Sequence, residues 1–390
     1  MINLDYHSTT PCDPRVVQAM LPYFHEKFGN PSSTQHAFGR EAAAAVRRAR
    51  DQVANLINAY PQEIIFTSGA TESNNLAITG VALLEIPGRR RIVTTKIEHK
   101  SVLETCHWAQ RFGYEVELLD VDQTGRVNLD HAEQVITSET ALVSVQAANN
   151  EIGTIQDIPA LTQLAHERGA LFHCDAAQAI GKIKVDVLEW NVDLMSLSGH
   201  KLYGPKGIGV LYLCGGKRGF PILPLMHGGG QEDGLRSGTL NVPAIVGLGE
   251  ACRILDECWQ DEAQRIMYLR DRFEEIIKKR YPDVVINGNK AYRLPGSSSI
   301  TFPGIDAEVL MANTPDLAWS TGSACNSGAL EPSHVLLAIS KNRTRAYETM
   351  RVGIGRFTTQ EDIDLAVDLI IGALERIQQL MSDLRKPSSA

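Results

Sequence analysis

The chain reads as an α/β protein: a large domain around a mostly parallel central sheet, followed by a smaller α+β domain. Three observations predict this. At 390 residues the chain is too long for one simple core. Short apolar runs of strand length alternate with helical patterns through its first 250 residues. After that the composition shifts to a long charged amphipathic helix and strands punctuated by Pro and Gly.

The elements follow in order. Residues 40–57 place Ala42, Val46, Ala49, Val53, Leu56 and Ile57 at helical spacing. Residues 63–67 form a short strand that runs into Ser68-Gly-Ala-Thr-Glu-Ser73, and residues 74–84 then read as a helix. Further buried strands are expected at 91–95, 115–119, 141–145, 170–174 and 194–197, with helices at 100–112 and 158–168 between them. The run 207–213 follows the tight Gly204-Pro205 turn and is expected to return antiparallel. A helix over 252–280, a strand over 296–302 and a final helix over 360–384 complete the pattern. The expected division is a large domain over 14–258 and a small one made of 1–13 and 259–390.

Bulk properties exclude several function classes. A formal net charge of −8 offers no general attraction to nucleic acid or an anionic membrane, and no nucleic-acid recognition motif occurs. The basic clusters at 47–48, 89–91, 278–280 and 341–345 are short, as solvated surface clusters are. No run approaches the roughly 20 apolar residues of a membrane helix, and no signal-peptide pattern opens the chain. Seven cysteines, odd in number and never spaced as Cys-x-x-Cys, indicate neither a disulfide framework nor a zinc site. A reducing cytoplasm is the expected location.

The chemistry concentrates where strands end. Ser198-Gly-His-Lys201 follows an apolar strand and delivers a lysine into a glycine-rich, hydroxyl-bearing loop. An earlier strand ends on Asp175. A lysine amine forms a Schiff base with an aldehyde, and a facing carboxylate keeps a pyridine nitrogen protonated, so this pair suits pyridoxal phosphate. The strand-to-helix turn at Gly69, Ala70 and Thr71 can hold a phosphate at a helix N-terminus, with Ser198 and His200 as further donors. His99 reads either as a structural histidine or as an imidazole stacked on the ring. Asn150 lies in a turn or donates to a cofactor or carboxylate. Gln178 reaches the same side as Asp175 if a helix starts there.

The order and spacing of Thr71, His99, Asn150, Asp175, Gln178 and Ser198-Gly-His-Lys201 resemble the class V branch of the aminotransferase-like pyridoxal phosphate enzymes, which have fold type I. The resemblance sharpens with Leu4-Asp-Tyr-His-Ser-Thr-Thr-Pro11, Gly29 to His36, Gly228-Gly-Gly-Gln-Glu232 and Arg236-Ser-Gly-Thr239. With Ser323-Ala-Cys-Asn-Ser327 and Arg351-Val-Gly-Ile-Gly-Arg356, the chain is similar to the cysteine desulfurases of the nitrogen-fixation and iron–sulfur-cluster group, from about residue 2 to 380.

The resemblance implies that Lys201 forms the Schiff base, that Asp175 pairs with the pyridine nitrogen and that His99 stacks on the ring and moves protons. It implies that Gln178 bonds the phenolic oxygen and that Ala70, Thr71, Ser198 and His200 hold the phosphate. Asn150 and Arg351 would hold the substrate carboxylate. Thr239 would reach the partner's phosphate in a homodimer, and Cys325 would take the sulfur of L-cysteine as a persulfide for an acceptor protein. Two positions depart from the family pattern: Gly353 stands where a serine is usual, and His7, where a small residue is usual, would add a group near the substrate mouth. The ending at 386–390, shorter than in the housekeeping enzymes, shifts expectation towards a dedicated sulfur route such as DNA phosphorothioate modification. Other readings are a different class V reaction, such as selenocysteine lysis or transamination, and a non-catalytic interaction protein retaining the fold.

Overall fold

The computed structural model describes residues 1–322 and 331–385, so the expected nucleophile Cys325 lies outside the described residues. The principal sheet has seven strands: β1 (Ile64–Thr67), β2 (Arg91–Thr95), β3 (Glu115–Leu119), β4 (Thr140–Gln146), β5 (Leu171–Asp175), β6 (Leu194–Ser198) and β7 (Gly209–Leu213). Their spatial order is β1-β7-β6-β5-β4-β2-β3. All pairings are parallel except the two made by β7. β7 runs antiparallel because residues 199–208, which join it to β6, are too few for the crossover of a dozen or more residues that a parallel return needs.

Strands β1, β4, β6 and β7 are buried at every position, which requires cover on both faces. Side chains alternate between those covers. Ile64, Phe66, Val143 and Val145 join one core, with Ala42, Val46, Ala49 and Val53 of helix α1 (Ala37–Leu56). Ile65 and Leu142 join the opposite core. There they meet Leu76 and Ala77 of α2 (Ala70–Ala82) and Val102 and Cys106 of α3 (Lys100–Ala109). Cys174 also faces the first core, away from any solvent.

Helix α4 (Val242–Arg280) runs 39 residues, about 58 Å at 1.5 Å per residue. It begins ten residues before the expected start at Cys252. The added segment, Val-Pro-Ala-Ile-Val-Gly-Leu-Gly, holds a proline and two glycines that hide a helix from propensity reasoning. The proline sits in the first turn, where its missing N–H costs nothing. Gly249 is there for packing, since a Cβ would fall 2.6 Å from the Ala49 Cα of α1.

The first part of α4, to Leu255, is buried in the first core, while Ile266, Leu269, Phe273 and Ile277 enter a separate one. That second core lies on a four-stranded antiparallel sheet (Ser320–Thr321, Thr349–Gly353, Ser297–Thr301, Val285–Asn287). Ile363, Val367, Ile370 and Leu374 of α5 (Gln360–Arg385) complete it.

The opening residues tie the two cores together. Ile2 and Leu4 are buried in the second core, and the Tyr6 N–H donates to the Gly353 carbonyl. Cys12 packs on the first core, and the Thr10 and Asp13 N–H groups donate to the carbonyls of His200 and Tyr203. Residues 5–13 thus form a strap across the carboxyl ends of the central strands. Among the described residues no helix is long and apolar enough to cross a membrane, and no group of His, Cys, Asp and Glu is placed to hold a metal.

Candidate active site

A cavity of about 580 Å³ opens at the carboxyl ends of β1, β2, β4, β5 and β6, the place where open α/β sheets bind ligands. It brings together ten of the expected site residues: Ala70, Thr71, His99, Asn150, Asp175, Gln178, Ser198, His200, Lys201 and Arg351. Thr239 is exposed and does not line its own chain's cavity.

Lys201 ends a one-turn 3₁₀ segment after β6. Its Nζ donates to the carbonyl oxygens of His7 (2.6 Å) and Ser8 (2.7 Å), so the strap closes the cavity at the lysine. The start of β7, which follows the lysine loop, packs on the Gly69 turn: a Cβ at Gly209 would lie 2.5 Å from the Gly69 Cα. Gly69 has φ +154° and offers no side-chain cap to α2, so the first-turn N–H groups of that 13-residue helix face a cavity rather than a capping oxygen.

Asp175 is held rigidly at the end of β5. Its Oδ1 accepts from the Ala177 N–H (3.0 Å) and its Oδ2 from Asn74 Nδ2 (2.8 Å). Asn74 also donates to Ser101 Oγ (2.8 Å), which contacts His99 Nδ1 at 2.8 Å. The Ser101 N–H donates to the same nitrogen (3.1 Å), so neutral His99 carries its proton on Nε2. Burial lowers the His99 pKa, against the pull of Asp175, so the ring is neutral at pH 7. Burial and the cations Lys201, Lys206 and Lys182 push His200 down to about 4. Its Nδ1 meets Thr9 Oγ1 at 3.1 Å.

Arg351 is 3% exposed. Its Nη2 donates to Asp5 Oδ1 (3.0 Å) and Ser8 Oγ (2.6 Å), and its Nη1 to the Asn150 carbonyl (3.4 Å). Its buried Nε has no hydrogen-bond partner among the described residues. Asn149 plays the structural part of its pair, donating to the Ile97 carbonyl and accepting from the Glu151 and Ile152 N–H groups. That leaves Asn150 to line the cavity. Glu98, beneath the His99 turn, has its pKa raised by burial to about 8 and accepts from Thr95 Oγ1 and the Gln146 N–H.

No helix begins after Asp175; the chain turns tightly there, and Gln178 reaches the cavity from that turn. His7 lines the cavity but is only 2% exposed: its Nδ1 is 3.4 Å from Gln178 Oε1, and a Cβ at Gly353 would lie 2.8 Å from its Cδ2. The two departures from the family pattern therefore answer each other sterically. Asn74, Ser101 and Lys182 escaped notice in the sequence, while Asp5 and Ser8 lay in the opening motif without a role assigned to them. Only the helical offset from Ala70 to Asn74 gave a local signal.

These residues fit pyridoxal phosphate. The lysine and the anchored carboxylate line one cavity, and an uncapped helix N-terminus suits a phosphate. Known proteins agree. The class-V aminotransferase family matches residues 2–366. The chain is 48% identical over 379 residues to the cysteine desulfurase IscS of Rickettsia felis, covering 97% of this chain and 92% of that one. The solved structure of a NifS-like protein aligns with TM-score 0.89 and 37% identity, covering 96% of this chain and 99% of that one. SspA in complex with cysteine aligns with TM-score 0.82 and 37% identity, covering 92% and 100%. The chain belongs to the class-V aminotransferase family, as a pyridoxal-phosphate-dependent cysteine desulfurase of the NifS/IscS type.

Proposed function

We propose that this cavity removes the sulfur of L-cysteine with Lys201, Asp175, His99 and Cys325 in the leading roles. The observation that carries the reading is the convergence of Lys201, Asp175, His99 and Arg351 on one cavity. The substrate Cβ–S bond breaks, an S–S bond forms to the Cys325 sulfur, and protons complete the methyl group of L-alanine. When bound, pyridoxal phosphate supplies an electron sink that weakens the bonds to the substrate Cα and Cβ.

The chain's own groups do the rest. Lys201 would carry the cofactor covalently. Asp175, held by Asn74 and the Ala177 N–H, would keep a proton on the pyridine nitrogen. His99, neutral with its proton on Nε2, would lie against the ring and move protons. Gln178 would donate to the phenolic oxygen. Ala70, Thr71, Ser198 and His200 would hold the phosphate. Asn150 and Arg351, which both line the cavity, would hold the substrate carboxylate. Cys325→Ala tests the reaction: sulfide release and alanine formation from L-cysteine are expected to fall at least 100-fold. Unchanged release would reject a thiol nucleophile and favour another class V reaction.

A homodimer belongs to the same reading. Phe24, Phe28 and Phe38 are exposed, with the Phe28 and Phe38 rings 5.4 Å apart, and Thr239 is free to serve the partner's phosphate. Sedimentation at twice the 42.8 kDa chain mass is expected; a monomer sinks the shared-site role of Thr239. The persulfide then passes to an acceptor protein, in iron–sulfur cluster assembly or a dedicated thiolation route. Transfer of ³⁵S from the enzyme to a purified cluster scaffold separates the two, since a dedicated donor would leave the scaffold unlabelled. A cytoplasmic location accords with the six described cysteines, all unpaired.

A further inference from the structure

Behind the cavity lies a second lysine that the proposed reaction does not use. Lys182 follows the turn after β5, is half-buried, and its Nζ donates to Gln178 Oε1 at 2.9 Å. An ammonium only donates, so the Gln178 oxygen must face Lys182 and the amide NH₂ must face the other way. Gln178 Nε2 does so, donating to the His7 carbonyl at 3.0 Å while the residue lines the cavity. The His7 carbonyl also accepts from Lys201, so Gln178 and the Schiff-base lysine share one acceptor. The His7 carbonyl takes the NH₂ end, and the oxygen end has Lys182 at 2.9 Å as its shorter partner and His7 Nδ1 at 3.4 Å, so the nearly symmetric amide is held in one sense from both ends.

We propose that Lys182 is a positioning residue that fixes the polarity of the Gln178 amide, presenting its N–H to the phenolic oxygen and adding positive charge behind it. This rests on the reading above, in which Gln178 meets that oxygen. The surroundings support it. The titratable and charged groups facing Lys182 are Tyr6 and His7 of the strap, His200 and Lys201, Arg351, and Tyr203 and Glu262, of which Tyr6, His7, Tyr203 and Glu262 line a small cavity with it. Glu262 is already bound by Arg356 (2.6 Å), and among the described residues no carboxylate forms an ion pair with Lys182. Burial, then Lys201 and Arg351, lowers the Lys182 pKa to about 7. Its charge is therefore present below pH 7 and lost above it, whereas its donor capacity survives as the amine. An anionic phenolic oxygen would draw that charge back.

The test is a pH titration of the visible absorbance of the cofactor-loaded enzyme. In Lys182→Met the midpoint is expected to rise by about one unit, the scale of a lost neighbouring cation. Lys182→Arg keeps charge and donors and is expected to restore the wild-type midpoint. Lys182→Gln, a neutral donor of gentler shape, is expected to rise as well and covers the case in which the methionine variant does not fold. In a Gln178→Ala background the Lys182→Met shift is expected to shrink by half or more, because the amide that transmits it is gone. Equal midpoints in wild type and the neutral Lys182 variants would overturn the proposal, as would an undiminished shift without Gln178. A wild type with no visible lysine-bound absorbance would instead overturn the cofactor reading itself.

Discussion

Replacing Lys201 with alanine is expected to remove the visible absorbance of the cofactor-loaded enzyme and to lower L-cysteine turnover by about 10³-fold or more, the range for losing a covalent and proton-transfer group together. The fold should persist. The Lys201 ammonium donates to the strap carbonyls of His7 and Ser8, which lie beside a water-accessible cavity. The strap keeps its other ties: Thr10 and Asp13 to His200 and Tyr203, and Asp5 and Ser8 to Arg351. Absorbance spectra, turnover and a thermal melt check all three statements. A variant that kept its colour would show that the cofactor is bound elsewhere.

Asp175→Asn carries the second large effect, a fall in kcat of about 10²–10⁴-fold with little change in KM. The geometry makes this substitution clean. The Ala177 N–H needs an acceptor, so the new amide oxygen takes the Oδ1 place and its NH₂ faces Asn74. Asn74 can turn its own oxygen, which has no partner in the described structure, towards that NH₂. Both contacts of residue 175 are kept and the negative charge is lost; the bond given up is Asn74 Nδ2 to Ser101 Oγ, whose hydroxyl can donate to the turned Asn74 oxygen instead. Steady-state kinetics would register that as a kcat effect, because the charge acts on the reacting ring rather than on the substrate carboxylate. A comparable rise in KM with kcat unchanged would place Asp175 in substrate binding instead.

Much of the fold was legible because buried parallel strands are short, apolar and separated by helices of recognisable period. The antiparallel β7 was legible from the tight turn before it. The early start of α4 was not, since Pro243 and two glycines look like loop residues until α1 is seen lying against them. Lys201 and Asp175 could be read because each ends an apolar run, and strand ends carry the ligands of such sheets. Gln178 was legible as a residue but not in its geometry: a turn, not a helix, delivers it.

The sequence by itself determined the α/β architecture, the cofactor class and ten residues that line one cavity. Those properties live in local patterns: period, strand ends and short motifs. Only the tertiary structure decided what surrounds those residues. It placed His7 beneath Gln178 with Gly353 making room, and tied Asp175 to His99 through Asn74 and Ser101. It also set Lys182 against the Gln178 oxygen. The physical reason is distance along the chain. The strap meets the lysine turn across more than 190 residues, and hydrogen bonds between such partners depend on how two cores pack, which no local pattern encodes.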